Sequence, residues 1–418
     1  MSTVHVVGAG VAGLACAVSL VKAGRTVTLH DAANHAGGRA RSFHEPAMDR
    51  LIDNGNHLML GANPAVFEYL ADIGAHGALD GQASAAFPFV DLTSGARWVV
   101  RPNAGRLPWW IAAPSRRVPG SHWTNYLAAL RLHDCPPNAT VAQVLGSAGP
   151  LHDRLWKPFC DAVLNADPAE AAAALLWSVL RETFLRGEVA MRAYIARDGL
   201  SPALIDPALG FLQRNGATLR LNSRLRAVTR SDTWVTALEF TGGSEILGVD
   251  DTVVLAVPPA VAAGLLPGLT APEESRAIVN GHFLLDHSAT LPGGERLLGL
   301  VGGTAHWLFA RGDVVSVTVS AAQALVEEPA DAIAARLWPD IAAALGLKDA
   351  DVPAYRIVKE KRATFAQTPA SLARRPGPRI GYANFFLAGD WTDTGLPATI
   401  EGAIRSGRLA AKCALGKA

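Results

Sequence analysis

Eight residues near the start of the chain, Val6 to Gly13, narrow its possible folds more than any others. They read Val-Val-Gly-Ala-Gly-Val-Ala-Gly, with the apolar run Val4–Val7 leading into them. Leu14–Ala23, closed by Gly24, reads as a helix, and Thr26–Leu29 as a second strand. Strand, glycine turn, helix, strand is the opening unit of a dinucleotide-binding domain. Gly8 permits the tight turn. Gly10, followed by Val11 and Ala12, lets backbone approach a pyrophosphate, and Gly13 lets the helix sit close on the strand. The helix N-terminus then offers unbonded N–H groups to an anion. Asp31, at the end of the second strand, accepts hydrogen bonds from ribose hydroxyls and disfavours a phosphorylated ribose.

Two further turns follow. Gly37 and Gly38 let the chain run close to a cofactor, and Arg39 beside them has the charge and fork geometry for a phosphate. Asp53-Asn54-Gly55-Asn56-His57 is another close-approach turn, in which Asp53 and His57 can equally satisfy backbone N–H groups. The most specific segment lies far away. Phe385–Ala388 reads as a strand, Gly389-Asp390 as a turn, and the sequence from Pro397 through Thr399, Ile400 and Ala403 as a long helix with Pro397 in its first turn. Gly402, Ala403, Ser406, Gly407 and Ala410 keep one face of that helix small, and Glu401 and Arg405 form a supportive pair one turn apart.

These segments divide the chain into a cofactor domain, residues 1–75, 203–260 and 376–418, and a substrate domain, residues 76–202 and 261–375. The first substrate segment is expected to be largely helical, with one Ala-rich stretch from Val163 to Phe184. With 418 residues, 50% hydrophobic, there is enough apolar sequence for two or three cores. A formal charge of +1 leaves no footprint for nucleic acid. Cys16, Cys135, Cys160 and Cys413 have no paired spacing, which argues against disulfides and a metal site and suits a reducing cytoplasm. The apolar stretches 4–21 and 253–271 are interrupted by glycines and prolines respectively, so neither is expected to span a membrane.

Taken together, the motifs resemble the flavin amine oxidase and phytoene desaturase superfamily. The similarity is strongest to the squalene-associated FAD-dependent desaturases, the hydroxysqualene dehydroxylases. Leu155–Phe159 through Leu164-Asn165, His306–Gly312, Lys361–Pro369 and the run Ala388–Gly407 carry that likeness across nearly the whole chain. The resemblance implies an α/β fold with an FAD-binding, two-dinucleotide-binding domain (Rossmann-like, amine oxidase type) and an inserted α+β substrate domain. It implies flavin contacts at Ala12, Asp31, Arg39, Gly55, Asn56, Asp390 and Ile400, with a backbone contact to adenine at Leu225, where many relatives carry valine. No cysteine lies in Gly389–Ala403, so the FAD is expected to be non-covalent.

The implied reaction is reductive removal of the allylic hydroxyl of hydroxysqualene, giving squalene for hopanoid synthesis. It needs a proton as well as a hydride, and His57, then Asp53, are the candidate acids. Trp156, Trp177, Trp307 and Phe309 are the aromatics expected at an isoprenoid substrate. A polyene desaturase using the flavin oxidatively is the alternative, and a non-enzymatic prenyl-lipid carrier on the same fold a second one. No second glycine fingerprint is present, so the sequence does not identify the electron donor. Leu107-Pro108-Trp109-Trp110-Ile111, set among Arg97, Arg101, Arg106, Arg116 and Arg117, has the composition of a peripheral contact with the inner face of the cytoplasmic membrane.

Overall fold

Val4, Val6 and Val7 are buried because the strand Thr3–Val7 is flanked on both edges. It pairs in parallel with Thr26–His30 on one side and Thr252–Leu255 on the other. Thr218–Arg220 and Phe385–Leu387 extend this to a five-stranded, wholly parallel sheet. A parallel sheet must be covered on both faces, which is why its central strands are near-continuous Val and Leu. The computed structural model describes residues 2–347 and 351–416.

Helices Val11–Lys22 and Ile400–Ala414 lie against one another beside this sheet. Their backbones touch: a Cβ on Gly407 would run into the Ala12 carbonyl oxygen. Buried Glu401 ties the second helix to a third, Pro64–Asp72, by accepting from the Ala65 and Val66 N–H groups. It also pairs with Arg405 at 2.7 Å, the expected neighbour one turn on.

A second, seven-stranded sheet runs in the order Tyr355–Phe365, Ser275–Leu284, Val314–Val319, Trp307–Arg311, Leu297–Val301, Phe87–Asp91, Arg97–Val100. Helix Ala330–Leu345 packs Ile333, Leu337, Trp338 and Ile341 into one core with this sheet. Phe89, Trp98 and Trp307 join a separate core with the short helices between residues 123 and 182. The architecture is a Rossmann-like α/β unit, its parallel sheet set beside a second, mostly antiparallel sheet.

Three local expectations change. The stretch 163–184 is not one helix: Lys157–Leu164 ends at Asn165, which turns left-handed (φ 49°), and a new helix runs Ala173–Glu182. Asn165 donates to Thr364 Oγ1 and accepts from the Ala321 N–H, while Pro168 disfavours helical backbone at Asp167. At the far end, Pro397 stays outside the C-terminal helix. Thr399 caps it instead, its hydroxyl accepting from the Gly402 N–H at 3.0 Å, and a hydroxyl cap outweighs the preference of proline for a first turn. In the segment 107–111, Leu107 and Trp109 are 77% and 51% exposed, but Trp110 is buried at 3%. No helix among the described residues is long and apolar enough to cross a membrane.

Candidate active site

One continuous cavity of about 1150 Å³ runs between the two sheets. Its walls have two chemistries. At one end are Gly8, Gly10, Val11, Ala12, Asp31, Leu225, Gly38, Arg39, Gly389, Asp390, Thr399, Ile400 and Ala403. At the other are Phe87, Phe89, Leu155, Phe159, Phe184, Trp307 and Phe309. Gly55, Asn56 and His57 link the two ends. Asn54 is tied back to Arg41 by two hydrogen bonds, while Asn56 reaches Thr318 Oγ1, on the residue paired with Trp307.

The glycine turn is built by steric exclusion. Gly8 adopts φ +110°, and a Cβ there would strike the Ala256 carbonyl. A Cβ at Gly13 would strike the Gly8 carbonyl, so helix and turn can meet only without a side chain. Gly10 differs: its Cβ would meet no atom within 4 Å and would project into the cavity. That space lies over the N-terminus of Val11–Lys22, which no side chain caps. The arrangement fits a dinucleotide pyrophosphate, because the N–H groups remain available to an anion. Asp31 braces the turn by accepting from Ala9 and Ala33 N–H groups at 2.6 and 2.8 Å, and each oxygen keeps a further lone pair for a ribose hydroxyl.

Arg39 joins the two ends of the chain. One nitrogen donates to Asp390 at 2.7 Å and another to the Ala363 carbonyl at 2.5 Å. The Asp390 carboxylate holds the guanidinium above its ordinary pKa. Gly389, at φ +143°, donates its N–H to Ser406 Oγ and so fixes the turn to the C-terminal helix.

His57 lines the cavity, and its environment lowers its pKa. Burial is the main cause, partly opposed by the Asp53 charge and a hydrogen bond to the Arg39 backbone. A Cβ on Gly55 would lie 3.2 Å from His57 Nε2, so glycine lets the ring fold beneath the turn.

Other candidates lie elsewhere. Asp53 does not line the cavity. One of its oxygens is held by Ser42 Oγ at 2.5 Å and Leu200 N–H at 2.9 Å, and the other pairs with Arg311 at 2.7 Å. A carboxylate so engaged is a brace rather than a proton donor. Trp156 packs in the helical core and Trp177 against His133, both away from the cavity, leaving Trp307 and Phe309 on its wall.

Four cavity residues have roles the sequence did not assign. Asn280, 2% exposed on a strand, accepts from Thr318 Oγ1 at 2.8 Å and donates to the Asn54 carbonyl. Gln367 clamps two distant segments, donating to the Leu164 carbonyl and accepting from the Ala398 N–H. Asn165 and Thr364 complete the group. The available signal was a polar residue at an inward strand position, as at Asn280 within Ala277–Phe283.

The chain matches the model of the family described as flavin containing amine oxidoreductase over residues 11–415. It is 47% identical over 415 residues to a hydroxysqualene dehydroxylase of Rhodopseudomonas palustris, covering 99% of this chain and 98% of that protein. A hydroxysqualene dehydroxylase of Sinorhizobium fredii is 45% identical, with the same shares covered. A 15-cis-phytoene desaturase of Synechococcus elongatus is 24% identical over 99% of this chain and 96% of its own length. Among solved structures, putrescine oxidase bound to putrescine superposes with a TM-score of 0.72 at 15% identity, covering 99% of both chains. The carrier alternative falls away, because the relatives and the family are oxidoreductases. With this cavity and these relatives, the chain belongs to the hydroxysqualene dehydroxylase family of flavin-dependent amine oxidoreductases.

Proposed function

We propose that the chain binds FAD non-covalently and uses it to replace the allylic hydroxyl of hydroxysqualene by hydrogen, forming squalene for hopanoid synthesis. The observation carrying this reading is the continuity of the cavity. The dinucleotide turn and an aromatic, largely apolar chamber open into one space, with a narrow polar strip at Asn56, His57, Asn280 and Thr318 between them. A volume of about 1150 Å³ exceeds the roughly 300–1,000 Å³ usual for a single small ligand, as a cofactor plus a long substrate requires.

The net change places a hydride on the carbinol carbon, a proton on the departing hydroxyl, and releases water. Reduced FAD, when bound, supplies the hydride. The protein supplies the rest. Apolar walls keep out water that would recapture an allylic cation, and the faces of Trp307 and Phe309 stabilise such a cation. His57 holds the proton. Its lowered pKa makes the imidazolium scarcer at neutral pH but a stronger acid when formed.

Anaerobic incubation of the reduced protein with hydroxysqualene, phytoene and a simple amine tests the reading. Squalene from the first substrate alone is the expected result. Dehydrogenated polyene from the oxidised protein, with no squalene from the reduced one, would transfer the assignment to a desaturase.

A further inference from the structure

Among the described residues, half of the exposed large hydrophobic side chains gather on one part of the surface. Leu107, Trp109, Trp123, Leu127, Leu130 and Val189 are 77, 51, 44, 43, 55 and 60% exposed. Three short elements carry them. The turn Trp109–Ala112 packs against the helix Trp123–Leu127, which continues into the turn Ala128–Leu132. Trp123, Leu127 and Leu130 recur at helical spacing, so they share a face. Val189 adjoins the Leu107 loop, because the Glu188 N–H donates to the Asn103 carbonyl and Gly187 abuts Gly105.

The charges on the segment Arg97–His133, which carries five of these six side chains, are of one sign, while Glu188 beside Val189 is neutralised by Arg192. Arg101, Arg106 and Arg131 are exposed and make no ion pair or side-chain hydrogen bond among the described residues. Arg116 lies over the Trp109 ring, 4.9 Å from its centre, and hydrogen-bonds only backbone carbonyls, as does Arg117. Elsewhere many arginines are paired with carboxylates: Arg39, Arg50, Arg154, Arg192, Arg197 and Arg220 are examples. Between Arg97 and Asp134 there is no acidic residue. A surface of this kind lacks its counter-charge.

Directly beneath it lies the cavity. Buried Trp110 stacks on Phe184 at 5.8 Å and meets Tyr126 edge-on at 5.3 Å, and Phe184 meets Phe159 at 5.6 Å. Phe184 and Phe159 both line the apolar chamber. The exposed patch is therefore the outer surface of the aromatic wall that encloses the chamber.

We infer that the segment 101–131, with Val189, forms a docking platform for an anionic lipid bilayer, set over the apolar chamber so that an isoprenoid passes between bilayer and site without crossing water. Trp109 and Trp123 sit at the headgroup level, Leu107, Leu127 and Leu130 enter the acyl boundary, and the arginines meet lipid phosphates. The platform rests on the isoprenoid reading of the chamber for its purpose, but not for its chemistry. Trp110 is outside it: that side chain is core, and its removal would report on folding.

Vesicle co-sedimentation of the flavin-loaded protein tests the platform. The vesicles are neutral phosphatidylcholine alone, or mixed with anionic phosphatidylglycerol. Wild type is expected to pellet with the anionic vesicles and to be released by high salt. The variant Trp109→Ala/Trp123→Ala/Leu127→Ser should lose binding, with unchanged thermal stability and unchanged turnover of detergent-dispersed substrate. An arginine near an anionic surface contributes roughly fivefold to partitioning, so Arg101→Gln/Arg106→Gln/Arg131→Gln should weaken binding by about a hundredfold. Equal pelleting of wild type and variants, or no pelleting of wild type, overturns the platform. So would concentration-dependent dimers abolished by the same substitutions without vesicle binding, which would make a second copy the occupant. The two readings fail separately: squalene formed in detergent without vesicle binding removes only the platform, and vesicle binding without squalene removes only the substrate.

Discussion

Arg39 and Asp390 stand 351 positions apart in sequence and 2.7 Å apart in space, a pair that closes the cofactor end of the cavity. Asp390 is 10% exposed and Arg39 36%, so the contact is more than a surface pairing and less than a buried one. Arg39→Gln is expected to cost about 1–2 kcal/mol, below the roughly 3–5 kcal/mol of a fully buried broken pair. Flavin content should fall further than the melting temperature does, because Arg39 and Asp390 both line the site. Parallel thermal melts and flavin absorbance measure the two effects.

Gly10 and Gly13 should respond differently to the same substitution. A Cβ at Gly10 meets no protein atom within 4 Å, and the backbone at φ −71° and ψ 174° accepts a β-branched side chain, so Gly10→Val directs its bulk into the cofactor space. A folded protein without flavin is expected. Gly13→Val collides with the Gly8 carbonyl and should lose the fold itself. Circular dichroism with absorbance near 450 nm, the flavin band, separates the outcomes; full flavin in the Gly10 variant would remove the turn from the site.

Acid should destabilise the protein in a defined window. Burial pushes His30, His282 and His306 down to about 4 from an ordinary 6.5. The unfolded chain then binds more protons between these values, so stability is complete above pH 6.5 and is lost as pH falls towards 4. Each histidine contributes a slope of up to about 1.4 kcal/mol per pH unit within that window. His57 shifts in the same direction. Turnover that needs its imidazolium falls as pH rises through a value below 6.5, so activity and stability pull in opposite directions. Melting temperature against pH, beside turnover of wild type and His57→Ala, tests both. The variant should keep its flavin and lose about a hundredfold or more in rate.

Denaturation should release all of the yellow chromophore. Among the described residues the cavity wall contains neither cysteine nor tyrosine, and Cys16 and Cys413 are buried in the packing of the two terminal helices. Colour left on the precipitated protein would show a covalent bond.

The glycine turn, Asp31 and the Gly389–Ala403 motif were readable because each carries a residue pattern along a strand, turn and helix that is complete within its own segment, even though contacts such as Gly8 with Ala256 complete it from afar. A Cβ at Gly13 is forbidden by Gly8 alone. The Asn280 and Thr318 half of the polar strip was not readable, since Asn56 meets Thr318 across 262 positions and Asn280 meets Asn54 across 226, contacts made only once the second sheet has formed. Asp53 misled for the same reason: its motif sits beside the site, but Arg311, from a different sheet, engages its carboxylate. Trp156 and Trp177 misled because aromatic residues on short helices serve packing first.

The contact of Gly407 with Ala12 also has a consequence in time. Translation delivers Val11–Lys22 long before Ile400–Ala414, and the strand Phe385–Leu387 that edges the parallel sheet arrives equally late. Until then the first helix shows a stripe of small residues to whatever is near it, and a nascent domain in that state is exposed to aggregation. A cofactor molecule reaching the growing chain before that helix is made finds half a socket, so loading with flavin waits on the second helix.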